Sequence, residues 1–231
     1  SLIANFCRIS GHKLVFTSYH SLCRIVQSGV TIDTIYFDEA HNSVKKQWAD
    51  DVKRISEIAG RCYYFTASPK HSLTDDKPGM NNAEVYGEVI CEVPVTEMIE
   101  QEYIVPPVLH TITSDKVHDG KYPAEVDINQ LIKAIDTHEL KSVLVSCKNT
   151  TQLYHITNSQ RFTEFCDNND YDYYSISSRY GCFINDKKVR RDVMFKHMRN
   201  NNGKFILFHI ETCCEGINLP KLDGIVLLKK L

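Results

Sequence analysis

The chain lacks any long apolar run. Nowhere in its 231 residues does a hydrophobic stretch reach the roughly 20 residues that a bilayer span requires. No lipidation motif is present, so the sequence points to no membrane partner. A paired-cysteine signature is also missing. The nine cysteines are scattered, odd in number, without a CxxC pair and without a preceding signal peptide. That usage speaks against a zinc or disulfide framework and predicts a reduced, intracellular setting, cytoplasm or nucleus. Charge of one sign is absent too. Lys and Arg number 27 against 29 Asp and Glu, for a net charge of −2. Bulk charge therefore announces no nucleic-acid partner, and any such partner must be met by local charge in a groove. Internal repeats and low-complexity tracts are lacking. The first residue is Ser1 rather than Met, the expectation for a fragment or trimmed chain. The length suffices for one large or two small domains with a sizeable core.

What is present is an alternation of strand-like and helix-like stretches, which predicts an α/β fold with parallel sheets. Lys13–Thr17 reads as a strand. Ser18–Val26 reads as a short helix, with Leu22, Ile25 and Val26 at helical spacing. Thr34–Phe37, β-branched and aromatic, reads as a buried strand. Ser43 is placed to cap a helix running to about Ala59, whose face carries Val44, Trp48, Val52, Ile55 and Ile58, with Gly60 as its C-cap glycine. Arg61–Phe65 is the next strand, and His71–Ala83 a polar surface loop. The Pro106-Pro107 pair favours an extended linker, and the domain boundary is set there, giving domains 1–105 and 106–231. Beyond it, Val108–Thr113 reads as a strand, Val126–Glu139 as a helix and Lys141–Cys147 as a strand. Thr151–Phe165 reads as one helix and Asp172–Ile176 as a strand. A basic helix opens at Asn185-Asp186. Strands follow at Gly203–Phe208 and Leu222–Leu228.

The chemistry concentrates at Tyr36-Phe37-Asp38-Glu39-Ala40-His41. Ligands of open parallel sheets bind beyond the carboxyl ends of the strands, and Asp38 and Glu39 fall at such an end. Adjacent carboxylates there suit phosphoryl transfer: one to hold Mg²⁺, the other to orient or deprotonate an attacking water. A solvated acidic turn would have the same composition, so context must decide.

Asp38-Glu39-Ala40-His41 has the form of the DEAH box, and with its neighbours the chain resembles a superfamily 2 helicase or translocase. Phe16-Thr17-Ser18-Tyr19-His20-Ser21-Leu22 is similar to motif Ib, Thr66-Ala67-Ser68-Pro69 to motif III, and Lys141–Cys147 to motif IV. His209-Ile210-Glu211-Thr212-Cys213-Cys214-Glu215-Gly216-Ile217-Asn218-Leu219-Pro220 is similar to motif V. The resemblance implies two RecA-like domains, both incomplete, with parallel sheets flanked by helices. It implies ATP and Mg²⁺ as cofactors, with Asp38 holding the metal through a water. Glu39 would be the catalytic group that polarises the attacking water, and His41 the third catalytic member, linked to Thr66 and Ser68 for coupling. Gly216 and Asn218 would contact the nucleotide. Asn218 stands where the family has aspartate and keeps the hydrogen bonding without the charge. Thr17, Ser18, Tyr19, Cys147 and Thr212 would contact the backbone of single-stranded or duplex nucleic acid, DNA rather than RNA by analogy. The same Thr17 or Ser18 could serve as an ordinary N-cap, and the turn after Cys147 as a strand end capped by Asn149 or Thr150.

Two family parts are not in the sequence: the Walker A loop before motif Ib and the arginine finger of motif VI. The parent protein is therefore expected to extend at both ends. The 231-residue chain alone is expected to show no ATPase, its first sheet to have an uncovered edge, and its second half to be the better folded. The rivals of the helicase reading are a double-strand DNA translocase and a non-enzymatic nucleic-acid clamp. The intact Asp38-Glu39 pair argues against the clamp. Oligomeric state is not legible.

Overall fold

The computed structural model describes residues 2–74, 77–111, 124–210, 219 and 222–228. The chain divides into two compact units, Ser1–Pro107 and Val108–Leu231. Both alternate helix and strand, and the fold class is α/β with mostly parallel strand pairing. Among the described residues, no helix is long and apolar enough to cross a membrane.

In the first unit, helix α1 (Leu2–Cys7) precedes a segment with no regular secondary structure. A strand was expected over Lys13–Thr17, but none forms there, and Leu14 and Phe16 are 74% and 90% exposed. A strand exists only through a neighbour's backbone, and among the described residues none pairs with this segment. A 3₁₀ turn (Tyr19–Ser21) then runs into α2 (Leu22–Ser28), which buries Leu22 and Ile25 and closes at Gly29, in the left-handed conformation with φ 65°.

Strand β1 (Ile32–Phe37), a second 3₁₀ turn (Ala40–Asn42), helix α3 (Lys46–Ile58) and strand β2 (Ala59–Tyr64) form the body of the unit. Helix α3 starts later than Ser43, so Ser43 is not its cap. Instead the buried Ser43 hydroxyl donates to the Ala40 carbonyl at 2.6 Å and lies 2.8 Å from the Tyr86 hydroxyl. Gly60 is not a C-cap either. It lies inside β2, where a Cβ would come within 2.8 Å of the Asp33 carbonyl oxygen, so glycine serves close strand approach. The two strands are parallel, with Phe37 opposite Tyr64. On the side covered by α2 and α3, the rings of these two residues stack at 4.9 Å beside buried Val52 and Ile55. On the other side Tyr36 stacks on Tyr63 at 5.4 Å and stays 65% exposed. The expectation of a buried strand at Thr34–Phe37 holds for one side only: in a two-stranded sheet covered on one side, alternate side chains face outward. Two short helices follow, α4 (Ala83–Tyr86), capped by the Asn82 side chain, and α5 (Val95–Glu100).

The second unit opens without the strand expected from Val108. Residues 108–111 lie in no helix or strand and are exposed, and the rest of that stretch lies outside the described residues. Helix α6 (Ala124–Thr137) leads to β3 (Ser142–Ser146), buried along its whole length. The single helix expected over Thr151–Phe165 is two helices, α7 (Thr150–Thr157) and α8 (Gln160–Asn168). At the break, Thr157 and Asn158 turn their side chains back onto the Leu153 and Tyr154 carbonyls, a local competition with the helical ladder.

Strand β4 (Tyr171–Ser177) is followed by a hairpin of β5 (Gly181–Ile184) and β6 (Lys187–Val189). Asn185-Asp186 is therefore a hairpin turn and not a helix start. Both residues have positive φ, 43° and 66°, the mirror-image turn that suits strand twist. The helix expected there begins later, as α9 (Arg191–Asn200), before β7 (Lys204–His209) and β8 (Gly224–Leu227).

The sheet order is β6-β5-β4-β7-β3-β8, parallel except for the two pairings of β5, with β4 and with β6. Period-two alternation sends Val143, Val145, Ile206 and Phe208 to the layer of α6, α7 and α8, and Leu144, Phe205 and Leu207 to the layer of α9. Burial on both faces is what a parallel sheet requires. Asp223 fixes the strand starts, its two carboxylate oxygens accepting from the Lys141 and Ser142 amides at 2.9 and 2.8 Å.

Candidate functional site

The acidic pair sits directly after β1, at its carboxyl end. The ladder to β2 continues past the regular strands, with the Phe65 amide donating to the Phe37 carbonyl at 2.9 Å and the Ala40 amide to the Phe65 carbonyl at 2.8 Å. This register sets the residue after Ala40 beside the residue after Phe65. His41, 6% exposed, accordingly has its Nδ1 3.1 Å from the Thr66 hydroxyl. The same nitrogen lies 3.4 Å from a Glu39 carboxylate oxygen. Thr66 also accepts the Ser68 amide at 3.1 Å, so Ser68 enters the cluster through its backbone. One hydroxyl thus joins the two strand ends, using the donor and acceptor capacity that a threonine has.

Glu39 adopts a left-handed conformation, φ 47° and ψ 49°. For a residue other than glycine this costs of order 1–3 kcal/mol and needs support from its surroundings. The support is visible: the Glu39 amide donates to Asp38 Oδ1 at 3.0 Å, and its carbonyl accepts from Asn42 at 2.9 Å. The twist leaves the Glu39 side chain 42% exposed beside His41 while Asp38 is exposed. A carboxylate in that position can orient a water molecule, and Asp38 keeps lone pairs for a hydrated cation. Magnesium retains several waters and takes only one or two protein carboxylates, so this donor set fits it. Among the described residues no group of three or more His, Cys, Asp or Glu gathers for a tighter metal site.

Tyr19 closes the other side. Its hydroxyl donates to the Asp38 carbonyl at 2.9 Å and its ring stacks near Phe37. Burial, with the neighbouring Tyr86 and Asp38 adding to it, raises the Tyr19 pKa, so the phenol stays a proton donor at neutral pH. Thr17 and Ser18 are exposed just before it, and neither caps the following turn. Tyr86 holds the loop from the far side through Ser43. Nothing in the sequence spacing of Ser43 and Tyr86 announced that bond.

Other expected residues are not brought to this cluster. Cys147 is 1% exposed, and burial pushes its thiol up to about 12. Its amide donates to the His209 carbonyl. It is a core residue rather than a surface contact. Asn149 caps α7 by accepting the Gln152 amide at 2.9 Å, and Lys148 and Asn149 are both exposed in that turn. Thr212, Gly216 and Asn218 lie outside the described residues. A separate shallow cleft of about 520 Å³, lined by Asp172, Lys196, His197 and Asn201, lies at the amino end of β4. Its polar groups bond to each other: Asn201 donates to Asp172 at 2.9 Å and Tyr174 meets His197 at 2.8 Å. Strand amino ends are not where α/β sheets bind ligands.

No protein-family model matches this chain, and no curated protein matches it.

Proposed function

We propose that the chain is the central part of an ATP-dependent nucleic-acid helicase built on two RecA-like domains, acting on DNA in preference to RNA. The observation behind this reading is the His41–Thr66 contact. An Asp-Glu-Ala-His turn at a strand end could be a solvated loop. Its histidine, buried and bonded to the hydroxyl that begins Thr66-Ala67-Ser68, is what a motif II to motif III link requires.

In this reading Glu39 orients and polarises the water that attacks the terminal phosphate, and Asp38 holds a magnesium ion through water. Bound there, the ion would neutralise phosphate charge. The left-handed turn at Glu39 presents the carboxylate, and the Glu39–His41–Thr66 series ties its position to the end of β2. Thr17, Ser18, Tyr19 and Thr212 touch the strand's phosphates, while Gly216 and Asn218 meet the nucleotide.

The decisive experiment is Glu39→Gln in the parent protein with its phosphate-binding loop. ATP affinity stays close to wild type, and nucleic-acid-stimulated phosphate release falls on the order of 100-fold or more. Near-normal turnover in this variant removes the assignment.

A further inference from the structure

Beside the acidic pair, three side chains from two separate segments share one support. Trp48 of α3 stacks on Tyr19 at 5.4 Å, His20 meets its edge at 4.9 Å, and the Lys45 ammonium lies 5.1 Å from its ring centre. Tyr19 is itself pinned to the Asp38 carbonyl. The indole is thus the fixed part, and the exposed His20 and Lys45 are the groups it displays. An exposed cation over an indole gains about 0.5–1 kcal/mol, enough to bias a flexible lysine toward one position. Among the described residues Lys45 makes no ion pair. Ser18, next to this group, leaves its hydroxyl unused as a cap. Together they form a row of donors with no carboxylate partner on Lys45, on an aromatic base.

We infer that Lys45 and His20, held by Trp48, form a phosphate-contact site for single-stranded nucleic acid. The inference rests on the helicase reading and extends its strand path from Ser18 onto the start of α3. Lys45 supplies the charge to one phosphate and His20 a ring N–H to the next. The partly exposed rings of Tyr19 and Trp48 add apolar contact to the sugar and base without reading base identity.

Trp48 is the sole tryptophan of the chain, so its emission reports on this site alone. The test titrates the 231-residue protein with oligodeoxythymidylate and follows Trp48 fluorescence across a salt series. The emission changes to saturation in the wild type. Lys45→Ala weakens binding about five- to tenfold at low salt and lowers the slope of log K against log salt by about one. Lys45→Arg restores both. His20→Ala gives a smaller loss. Lys53→Ala, exposed farther along the same helix, behaves as wild type. Matching far-UV spectra establish that the variants are folded. Wild-type binding that Lys45→Ala leaves unchanged in affinity and slope overturns the site and leaves the helicase reading standing. The same emission change produced by inorganic polyphosphate at equal phosphate concentration overturns it as a nucleic-acid site. Absence of oligonucleotide binding by the wild type removes both this site and the strand contacts of the reading it extends.

Discussion

Replacing Thr66 by valine isolates the bond on which the functional proposal depends. Valine keeps the shape and removes the hydroxyl, which has two partners at 3.1 Å, His41 Nδ1 and the Ser68 amide. The two losses are unequal. The Ser68 amide is in an exposed residue, where water replaces the lost acceptor at little net cost. His41 is 6% exposed and loses a bond at a largely buried ring nitrogen, although the Glu39 carboxylate at 3.4 Å remains as a substitute partner. A buried polar group stripped of its only partner costs about 1–3 kcal/mol, and the presence of Glu39 places this loss near the bottom, about 1 kcal/mol. With a urea dependence of about 1 kcal/mol per molar for a unit of this size, the unfolding midpoint of the first unit falls by about 1 M. Trp48 fluorescence measures it, since the only tryptophan lies in that unit. Ser68→Ala is the control: the bond uses its amide, which alanine retains, so its midpoint stays with the wild type. In the parent protein Thr66→Val leaves ATP turnover in place and impairs unwinding. Equal midpoint shifts in the two variants, or none in Thr66→Val, refute the idea that the hydroxyl joins the strand ends.

Two further outcomes follow from the packing. Gly60→Ala destabilises the first unit by about 1–3 kcal/mol, because its Cβ would meet the Asp33 carbonyl oxygen at 2.8 Å and backbone must shift; the urea midpoint by Trp48 fluorescence checks it. Cys147 and Cys166, both pushed up to about 12 by burial from an ordinary thiol value of 9.0, remain protonated in the folded unit while the unfolded chain ionises. The folded-state pKa is the higher one, so their stabilising contribution is complete below pH 9 and declines from pH 9 to 12, by up to about 1.4 kcal/mol per pH unit for each. Circular dichroism melts across that range show the decline, and the Cys147→Ala, Cys166→Ala double variant shows less of it.

By itself the sequence determined the element types in most places, because burial on one side of a helix or strand imposes a period that composition displays. Val52 and Ile55 on α3, the apolar Val143-Leu144-Val145 of β3, and the alternation of helix with strand were legible for that reason. The position of Asp38 and Glu39 at a strand's carboxyl end was legible too, since Thr34–Phe37 leads straight into them. Where the reading failed, local composition was overruled by a partner distant in sequence. Lys13–Thr17 has the residues of a strand and no described neighbour to pair with. Asn185-Asp186 suits a helix start as well as a mirror-image turn, and the antiparallel partner β4 selected the turn. Gly60 suits a cap, and the parallel approach of Asp33 made it a strand glycine. The joining of His41 to Thr66 belongs to the same class. Each motif stands in the sequence alone, but their contact depends on the register that sets Phe37 opposite Tyr64, a choice made by strand pairing and by the packing of Phe37 and Tyr64 against α2 and α3.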